Sequence, residues 1–281
     1  MSRPRPFQQV DVFTATPYQG NPVAVVLDGE GLSTQEMQAF TNWTNLSEAT
    51  FILPPQDARA DYRLRIFCPG QELPFAGHPT LGSAHAWLRA GGRPQGQEII
   101  QECGVGLVRL RRQGTQLAFA APPLQRSGPL EEDKVTLIAS GLGLRREDIA
   151  QHAWCDNGPP WQAVMLRSHE QLLALKPDTT LLRGLFVGAV APTGQREPAF
   201  EVRAFFPGPG GMAEDPVTGS LNAALAQWLI GEGLAPSRYV AAQGQALGRE
   251  GRILIEQAND EARTIWVGGE SVSCIDGQVM L

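Results

Sequence analysis

The sequence has few of the residues on which cofactor and metal chemistry usually depend. Its 281 residues include only two lysines, Lys134 and Lys176, each in a polar segment. An enzyme that holds pyridoxal phosphate needs a lysine in a pocket, so we do not expect this cofactor. The four cysteines lie far apart with no CxxC pair, and the four histidines form no HExxH motif. The sequence therefore predicts neither a disulfide framework nor a metal site.

Motifs for nucleotide binding and for serine hydrolysis are also missing. The sequence has no GxxxxGK[ST] segment and no GxSxG segment. Gly141-Leu-Gly143 lacks the third glycine of a dinucleotide-binding turn. We therefore expect chemistry that needs no nucleotide or organic cofactor.

Long apolar runs and clusters of positive charge are absent as well. Apolar runs such as Pro22 to Leu27 are far shorter than the ~20 residues that cross a bilayer. The first seven residues have no apolar stretch typical of an export signal. The net charge of −6 comes without a basic stripe, which disfavours a nucleic-acid partner. The sequence predicts a cytoplasmic protein that has neither a membrane nor a nucleic acid as its partner.

What the sequence does contain is an internal repeat. The segment from Arg65 to Gly70 resembles the segment from Arg203 to Gly208, at an offset of 138 residues. The next segment, from Pro79 to Leu88, resembles the one from Pro216 to Leu225 at an offset of 137 residues. Each copy indicates a strand that ends at Pro-Gly, then a loop, then a helix. Two unrelated strand–loop–helix units remain an alternative, but a repeat explains the matching order better.

The repeat predicts the architecture and the domain boundary. The predicted helices run from about Thr80 to Ala90 and from about Thr218 to Ile230, and each opens with a Gly-Ser pair. The second is apolar nearly all round, which is typical of a helix buried inside a domain. We therefore expect an α/β (α+β) fold of two halves, 1–124 and 125–281, each with strands wrapped around one helix. The last strand of the chain is expected to complete the first half.

Three polar residues are candidates for chemistry. His78 and Asp215 each precede the proline that opens a predicted helix, and a helix N-terminus attracts anions. If the two halves face each other, both helix ends point into one cleft that suits a small carboxylate. Glu48 begins an apolar strand, where burial would raise its pKa so that it both takes and returns a proton. Each residue also has an ordinary explanation, as a helix cap, a core hydrogen bond or a turn cap.

These residues belong to segments that resemble the PhzF-like phenazine-biosynthesis protein family. Five segments match in order along almost the whole chain: Gln19-Gly-Asn-Pro-Val-Ala-Val25, Leu46-Ser-Glu-Ala-Thr-Phe51, Glu72-Leu-Pro-Phe-Ala-Gly-His-Pro-Thr-Leu-Gly82, Glu214-Asp-Pro-Val-Thr-Gly-Ser220 and Gln243-Gly-Gln-Ala-Leu-Gly-Arg249. The resemblance implies a diaminopimelate epimerase-like fold, with two pseudo-symmetric domains that are each a β-barrel around a central helix. It also implies a homodimer and a cofactor-free isomerase with its active site in the interdomain cleft.

The resemblance also implies a role for each candidate residue. The family's catalytic glutamate falls on Glu48, which would shuttle a proton between carbons of a cyclic dihydro-hydroxyanthranilate-type acid. Its polar cleft residues fall on His78 and Asp215, which we count with Glu48 as catalytic. Its cradle for the substrate carboxylate falls on three residues: Gly77, Gly219 and Ser220. The physiological substrate does not follow from the resemblance.

Three other functions are open at this point. A metabolite-binding protein would keep the cleft without the reaction. An amino-acid racemase of the same fold would, by resemblance, need a cysteine at each cleft helix, and neither helix entrance has one. A serine hydrolase would use Ser83 or Ser220, but both are better explained as helix-start residues. The isomerase is the hypothesis that the residues favour.

Overall fold

The computed structural model describes residues 2–208 and 211–281. It divides into two compact units, the first formed by the chain up to Ala120 together with Gly268–Leu281, the second by Ala121–Val267. The second unit thus begins at the first residue of the Pro/Gly-rich segment 121–129. Within the described ranges, no helix has the length and apolar character that crossing a membrane requires.

The first unit is a set of strands arranged around helix α2. Its elements are β1 (Pro4–Val12), β2 (Asn21–Val26), α1 (Thr34–Thr44), β3 (Ala49–Leu53), β4 (Tyr62–Cys68), β5 (Gln71–Leu73), α2 (Gly77–Arg89), β6 (Ile99–Cys103), β7 (Gly106–Gln113), β8 (Gln116–Ala120) and β17 (Ser271–Met280). Helix α2 contacts β1, β2, β3, β4, β8 and β17. Strand β17 pairs antiparallel with β1 along nearly its whole length, so the end of the chain completes this unit.

Local sequence signals explain how this unit is assembled. Ser33 accepts a hydrogen bond from the Glu36 amide and Glu36 bonds back, which is the capping box that starts α1. Asn45 then ends α1 in the left-handed conformation, with φ 56°. On the other side of the sheet, Gly82 lets α2 approach closely: a Cβ added there would lie 2.4 Å from Val23 Cγ1. This glycine is required for the contact between helix and strands.

The second unit repeats the pairing pattern of the first. Its elements are α3 (Glu132–Gly141), β9 (Ile149–Asp156), β10 (Pro160–Leu166), α4 (His169–Leu173), β11 (Phe186–Pro192), β12 (Phe200–Gly208), β13 (Gly211–Asp215), α5 (Gly219–Gly231), β14 (Arg238–Gln243) and β15 (Gly251–Gln257), with 3₁₀ turns at Arg146–Asp148 and Gln245–Leu247. Strand β16 (Ile265–Gly269) spans the boundary between the units.

The correspondence holds strand by strand. In the first unit β4 pairs antiparallel with β3 and β5 and parallel with β6. In the second unit β12 pairs antiparallel with β11 and β13 and parallel with β14. The parallel pair β2–β3 likewise corresponds to β10–β11. The predicted two-part α+β fold is confirmed, and so is the burial of α5, six of whose apolar side chains are at most 1% exposed: Leu221, Ala223, Ala224, Leu225, Ala226 and Leu229.

The structure corrects the predicted helix starts. Helix α5 begins at Gly219, close to the prediction, but α2 begins at Gly77, three residues before the predicted Thr80. Gly82 and Ser83 therefore lie inside α2, whereas Gly219 and Ser220 open α5. His78 is consequently a helical residue, while Asp215 ends a strand. The two residues that precede these prolines are therefore not structurally equivalent, because the first helix begins before its proline and the second begins after it.

Candidate active site

Glu48 is placed by the connection between α1 and β3. The left-handed Asn45 turns the chain out of the helix, and β3 begins directly after Glu48. The Glu48 carbonyl accepts a 3.4 Å hydrogen bond from the Ala24 amide, which ties this position to β2. Its side chain is only 16% exposed. The predicted partly desolvated carboxyl group is therefore present.

The imidazole ring of His78, a residue of α2, lies beside this carboxyl group. His78 is the second residue of the helix, and its Nε2 lies 3.3 Å from Glu48 Oε2. On the other side of the ring, Asn21 Nδ2 lies 3.4 Å from Nδ1. The His78 side chain is 5% exposed. Two residues that are thirty positions apart in sequence thus form a buried carboxyl–imidazole pair.

The charge state of this pair follows from its burial. Desolvation lowers the pKa of His78 to about 3, against the opposing effect of a hydrogen bond to the Pro22 carbonyl. The imidazole is therefore neutral at neutral pH, and the contact with Glu48 is not an ion pair. A neutral ring either donates a hydrogen to a carboxylate or accepts one from a carboxylic acid. With its hydrogen on Nε2 the ring can donate to the carboxylate or to the carbonyl oxygen of the carboxylic acid, so it suits both protonation states of an acid/base Glu48.

Ser83 holds β3 against α2 on the same side of the sheet. Its hydroxyl donates a 2.8 Å hydrogen bond to Thr50 Oγ1, and both residues are fully buried. This bond gives Ser83 a structural role, because it fixes Thr50, which lies two residues after Glu48 in the chain. It provides no support for Ser83 as the nucleophile of a hydrolase.

The second unit holds Asp215 at the start of α5. Thr218 Oγ1 donates a 2.6 Å hydrogen bond to Asp215 Oδ2. Gln243 binds both ends of this turn: its Nε2 donates to the Asp215 carbonyl and its Oε1 accepts from the Thr218 amide. Gln243 Oε1 also accepts from Asn222 Nδ2. Gln243 opens the last of the five family-like segments, but nothing in its local sequence marks it as a residue of the site.

Gly219 and Ser220 form the first turn of α5. The N-cap residue Thr218 makes no side-chain capping hydrogen bond, and the same holds for Ala76 before Gly77 in α2. Ser220 Oγ accepts a 3.1 Å hydrogen bond from Trp161 Nε1. The Trp161 ring packs at 5.4 Å against Phe186. Trp161 is therefore a packing residue that also fixes the Ser220 hydroxyl.

The structure thus brings some of the candidate residues together within each unit. Glu48 and His78 contact each other in the first unit, at the N-terminal turn of α2 that Gly77 opens. Asp215 lies beside the turn that leads into α5 in the second unit. The meeting of these two groups in one cleft stays a prediction. Among the described residues, no group of three or more His, Cys, Asp or Glu side chains is placed to hold a metal ion.

Comparison with known proteins identifies relatives over the whole chain. The model of the PhzC-PhzF family, described as phenazine biosynthesis-like protein, matches residues 10–277. The trans-2,3-dihydro-3-hydroxyanthranilate isomerase of Pseudomonas aeruginosa is 33% identical over 97% of this chain and 98% of its own. Antisense-enhancing sequence 1 of Schizosaccharomyces pombe is 34% identical over 97% of each chain. The crystal structure of a Bacillus anthracis phenazine biosynthesis protein of the PhzF family superposes with a TM-score of 0.83 at 22% identity, covering 99% of this chain and 100% of the other.

Proposed function

The chain belongs to the family of phenazine biosynthesis-like proteins, and we propose that it is an isomerase that moves a proton within a small cyclic carboxylic acid. Glu48 is the acid/base group in this proposal, and His78, whose Nε2 lies 3.3 Å from Glu48 Oε2, is the imidazole beside it. We propose to test trans-2,3-dihydro-3-hydroxyanthranilate as the substrate. This compound appears in the name of a relative of similar length.

The observation that carries the proposal is the Glu48–His78 contact. The Glu48 carboxyl oxygen lies 3.3 Å from a buried imidazole that is neutral. Glu48 can therefore bind and release a proton while the charge of His78 stays the same. Such a carboxyl group can take a proton from carbon, exchange it with the solvent while the intermediate is bound, and deliver a proton to carbon. That property suits a reaction in which one proton leaves a carbon atom and returns to another.

The proposed step conserves atoms and electrons. The Glu48 carboxylate removes a proton from one carbon of the conjugated acid, and the electron pair of the broken C–H bond shifts into the ring system. The resulting carboxylic acid then delivers the proton to a second carbon, where a new C–H bond forms and the double bonds have moved. His78, with its hydrogen on Nε2, donates to the carboxylate before the step and to the carbonyl oxygen of the carboxylic acid after it, so its own proton stays in place.

The remaining candidate residues belong to the same proposal. The amide groups at the first turns of α2 and α5 lie at helix N-termini and suit the substrate carboxylate, with Gly77 on one helix and Gly219 and Ser220 on the other. Asp215 then contacts the polar substituents of the ring. The proposal includes a homodimer, as the family resemblance implies. A metabolite-binding protein and a racemase remain as outcomes of the experiment below.

Proton NMR in D₂O tests the reaction class and the base together. We expect wild-type protein to introduce deuterium at a ring carbon of trans-2,3-dihydro-3-hydroxyanthranilate and to convert it to an isomer. Glu48→Gln keeps the shape of the side chain but removes the base, so the rate should fall by at least a factor of about 10³. Glu30→Gln is the matched control, because Glu30 is an exposed glutamate of the same unit; it should behave as wild type.

Each contrary outcome has a definite meaning. Equal rates for wild type and Glu48→Gln would refute Glu48 as the base. Binding of the acid without exchange or conversion would favour a metabolite-binding protein. Exchange at the α-carbon of a free amino acid that persists in Glu48→Gln would favour a racemase.

A further inference from the structure

The pairing of β3 with β4 places a thiol next to Glu48. Ala49 lies opposite Phe67 and Thr50 lies opposite Ile66 in this antiparallel pair. The same register, extended by one residue, sets Glu48 opposite Cys68. Directly opposed residues of an antiparallel pair have Cβ atoms about 4.5–5.5 Å apart and side chains on one face. Glu48 and Cys68 are therefore cross-strand neighbours.

This face is the one that looks toward helix α2. On β3, Thr50 is hydrogen-bonded to Ser83 of α2. On β4, the Tyr62 ring lies 5.1 Å from the Trp87 ring of α2. Side chains of a strand alternate between its two faces, and Cys68 is an even number of residues from Tyr62. The thiol consequently lies on the α2 side of the sheet, as the carboxyl group of Glu48 does.

His78 gives an independent indication that a ligand belongs here. Its Nε2 atom is buried and, within the described residues, is not aligned for a hydrogen bond with any group. The carboxyl group of Glu48 is the group it approaches, at 3.3 Å. A buried polar atom without an aligned partner is costly in a folded protein. A bound substrate or a turned Glu48 side chain would satisfy it.

We propose that Cys68 is a positioning residue of this site, whose uncharged thiol borders the Glu48 carboxyl group and holds it toward His78 and the substrate. This inference rests on the proposed function, since it assigns to Cys68 an effect on the acid/base group. The neighbouring residue on the other side of Cys68 is Gln71, its partner in β5. Glu48, Cys68 and Gln71 thus form one row across three strands.

The charge state of Cys68 defines what it does. Burial and the negative charge of Glu48 both raise the pKa of the thiol, while a hydrogen bond with Gln71 works in the opposite direction. The group is therefore a thiol rather than a thiolate at neutral pH, and it is a poor base and a poor nucleophile. An S–H group is instead a weak hydrogen-bond donor to the carboxylate. This role differs from that of a racemase cysteine, which removes a proton from carbon.

Alkylation of Cys68 tests this placement without any substrate. Iodoacetamide reacts with the thiolate, so the rate at pH 8 reports the thiol pKa. Glu48→Gln removes the neighbouring negative charge, and we expect Cys68 to react severalfold faster, because a lower thiol pKa increases the fraction of thiolate. Cys103 is the internal reference: it is also half-buried, and its pKa is raised by burial and by Glu102. Mass spectrometry of the two peptides gives both rates from one sample.

Kinetics of variants then separate positioning from a structural role. In the D₂O assay we expect Cys68→Ala to lower kcat about tenfold and to shift its pH profile, with KM changed less than about threefold. Cys68→Ser keeps a donor and should recover most of kcat. Cys103→Ala should match wild type.

Three results would overturn the inference. An alkylation rate of Cys68 that is unchanged by Glu48→Gln would show that the thiol does not border the carboxyl group. A Cys68→Ala variant with wild-type kcat and pH profile would show that the thiol has no positioning effect. A Cys68→Ser variant with a kcat as low as that of Cys68→Ala would show the same. If wild type exchanges no proton at all, the proposed function fails, and the alkylation result decides on Cys68 by itself.

Discussion

A buried glutamate in the second unit predicts a substitution that stabilises the protein. Glu201 lies on β12 and is 3% exposed, and its Oε1 atom has no hydrogen-bond partner among the residues that the structure describes. The nearest imidazole nitrogen, His169 Nε2, lies 4.0 Å from Oε2. Burial raises the pKa of Glu201 to about 7, although Arg252, Arg203 and a hydrogen bond from the Gln245 amide lower it. The folded protein therefore holds a proton here that the unfolded chain releases at lower pH.

The magnitude follows from the difference between the two pKa values. The unfolded value is 4.5 and the folded value is about 7, and one pKa unit corresponds to about 1.4 kcal/mol. Ionised Glu201 thus lowers the free energy of unfolding by up to about 3 kcal/mol at pH 8, and by about 1 kcal/mol at pH 5. The loss grows as pH rises from 4.5 through 7, because the folded state must give up its extra proton. Glu201→Gln removes the ionisation and retains the shape.

Thermal unfolding at two pH values measures this effect. We expect Glu201→Gln to raise the melting temperature by about 6–12 °C at pH 8, since 1 kcal/mol corresponds to about 2–4 °C in a chain of this size. The gain at pH 5 should be much smaller. Glu261→Gln, at an exposed position of the same unit, should change neither value. A Glu201→Gln variant that is less stable than wild type at pH 8, or equally stabilised at both pH values, would refute the argument.

Two further substitutions test packing and ion pairing by the same thermal assay. Gly82→Ala should lose about 1–3 kcal/mol because its new methyl group would lie 2.4 Å from a valine carbon of β2; Gly231→Ala, where nothing lies within 4 Å, should be neutral or better. Arg203→Met should lose about 3–5 kcal/mol, because it leaves the 15%-exposed Glu214 without its 2.7 Å partner. Arg65→Met, which breaks the corresponding but more exposed pair of the first unit, should lose less than about 1 kcal/mol. Equal losses at the two arginines would contradict the burial argument.

The repeat made much of the fold predictable from the sequence. Two strand–loop–helix copies at nearly constant offset predicted two similar halves, and the strand pairing shows the same order in each unit. The all-round apolar pattern of α5 predicted its burial for a simple reason. A helix without a polar face has no side that is stable in water.

Three strands have local sequences that do not indicate a strand over their whole length. Strand β9 carries His152 and Gln151 beside its apolar residues, and β14 is rich in alanine, which is a weak strand former. Strand β17 has a strand-like pattern only over 272–274, because Asp276 and Gly277 interrupt it. Its pairing with β1 continues past both residues. Tertiary pairing overrides local preference in these segments.

The candidate site divides in the same way between what local sequence encodes and what packing creates. Glu48 was predictable as a carboxyl group at the start of an apolar strand, and His78 as a polar residue near a helix start. Their contact was not predictable, because it depends on α2 beginning before Pro79 and so turning His78 toward β3. Cys68 gave no signal at all as a residue of the site. Only the register of β3 against β4 sets it opposite Glu48, and a shift of that register by one residue would turn the thiol to the other face of the sheet.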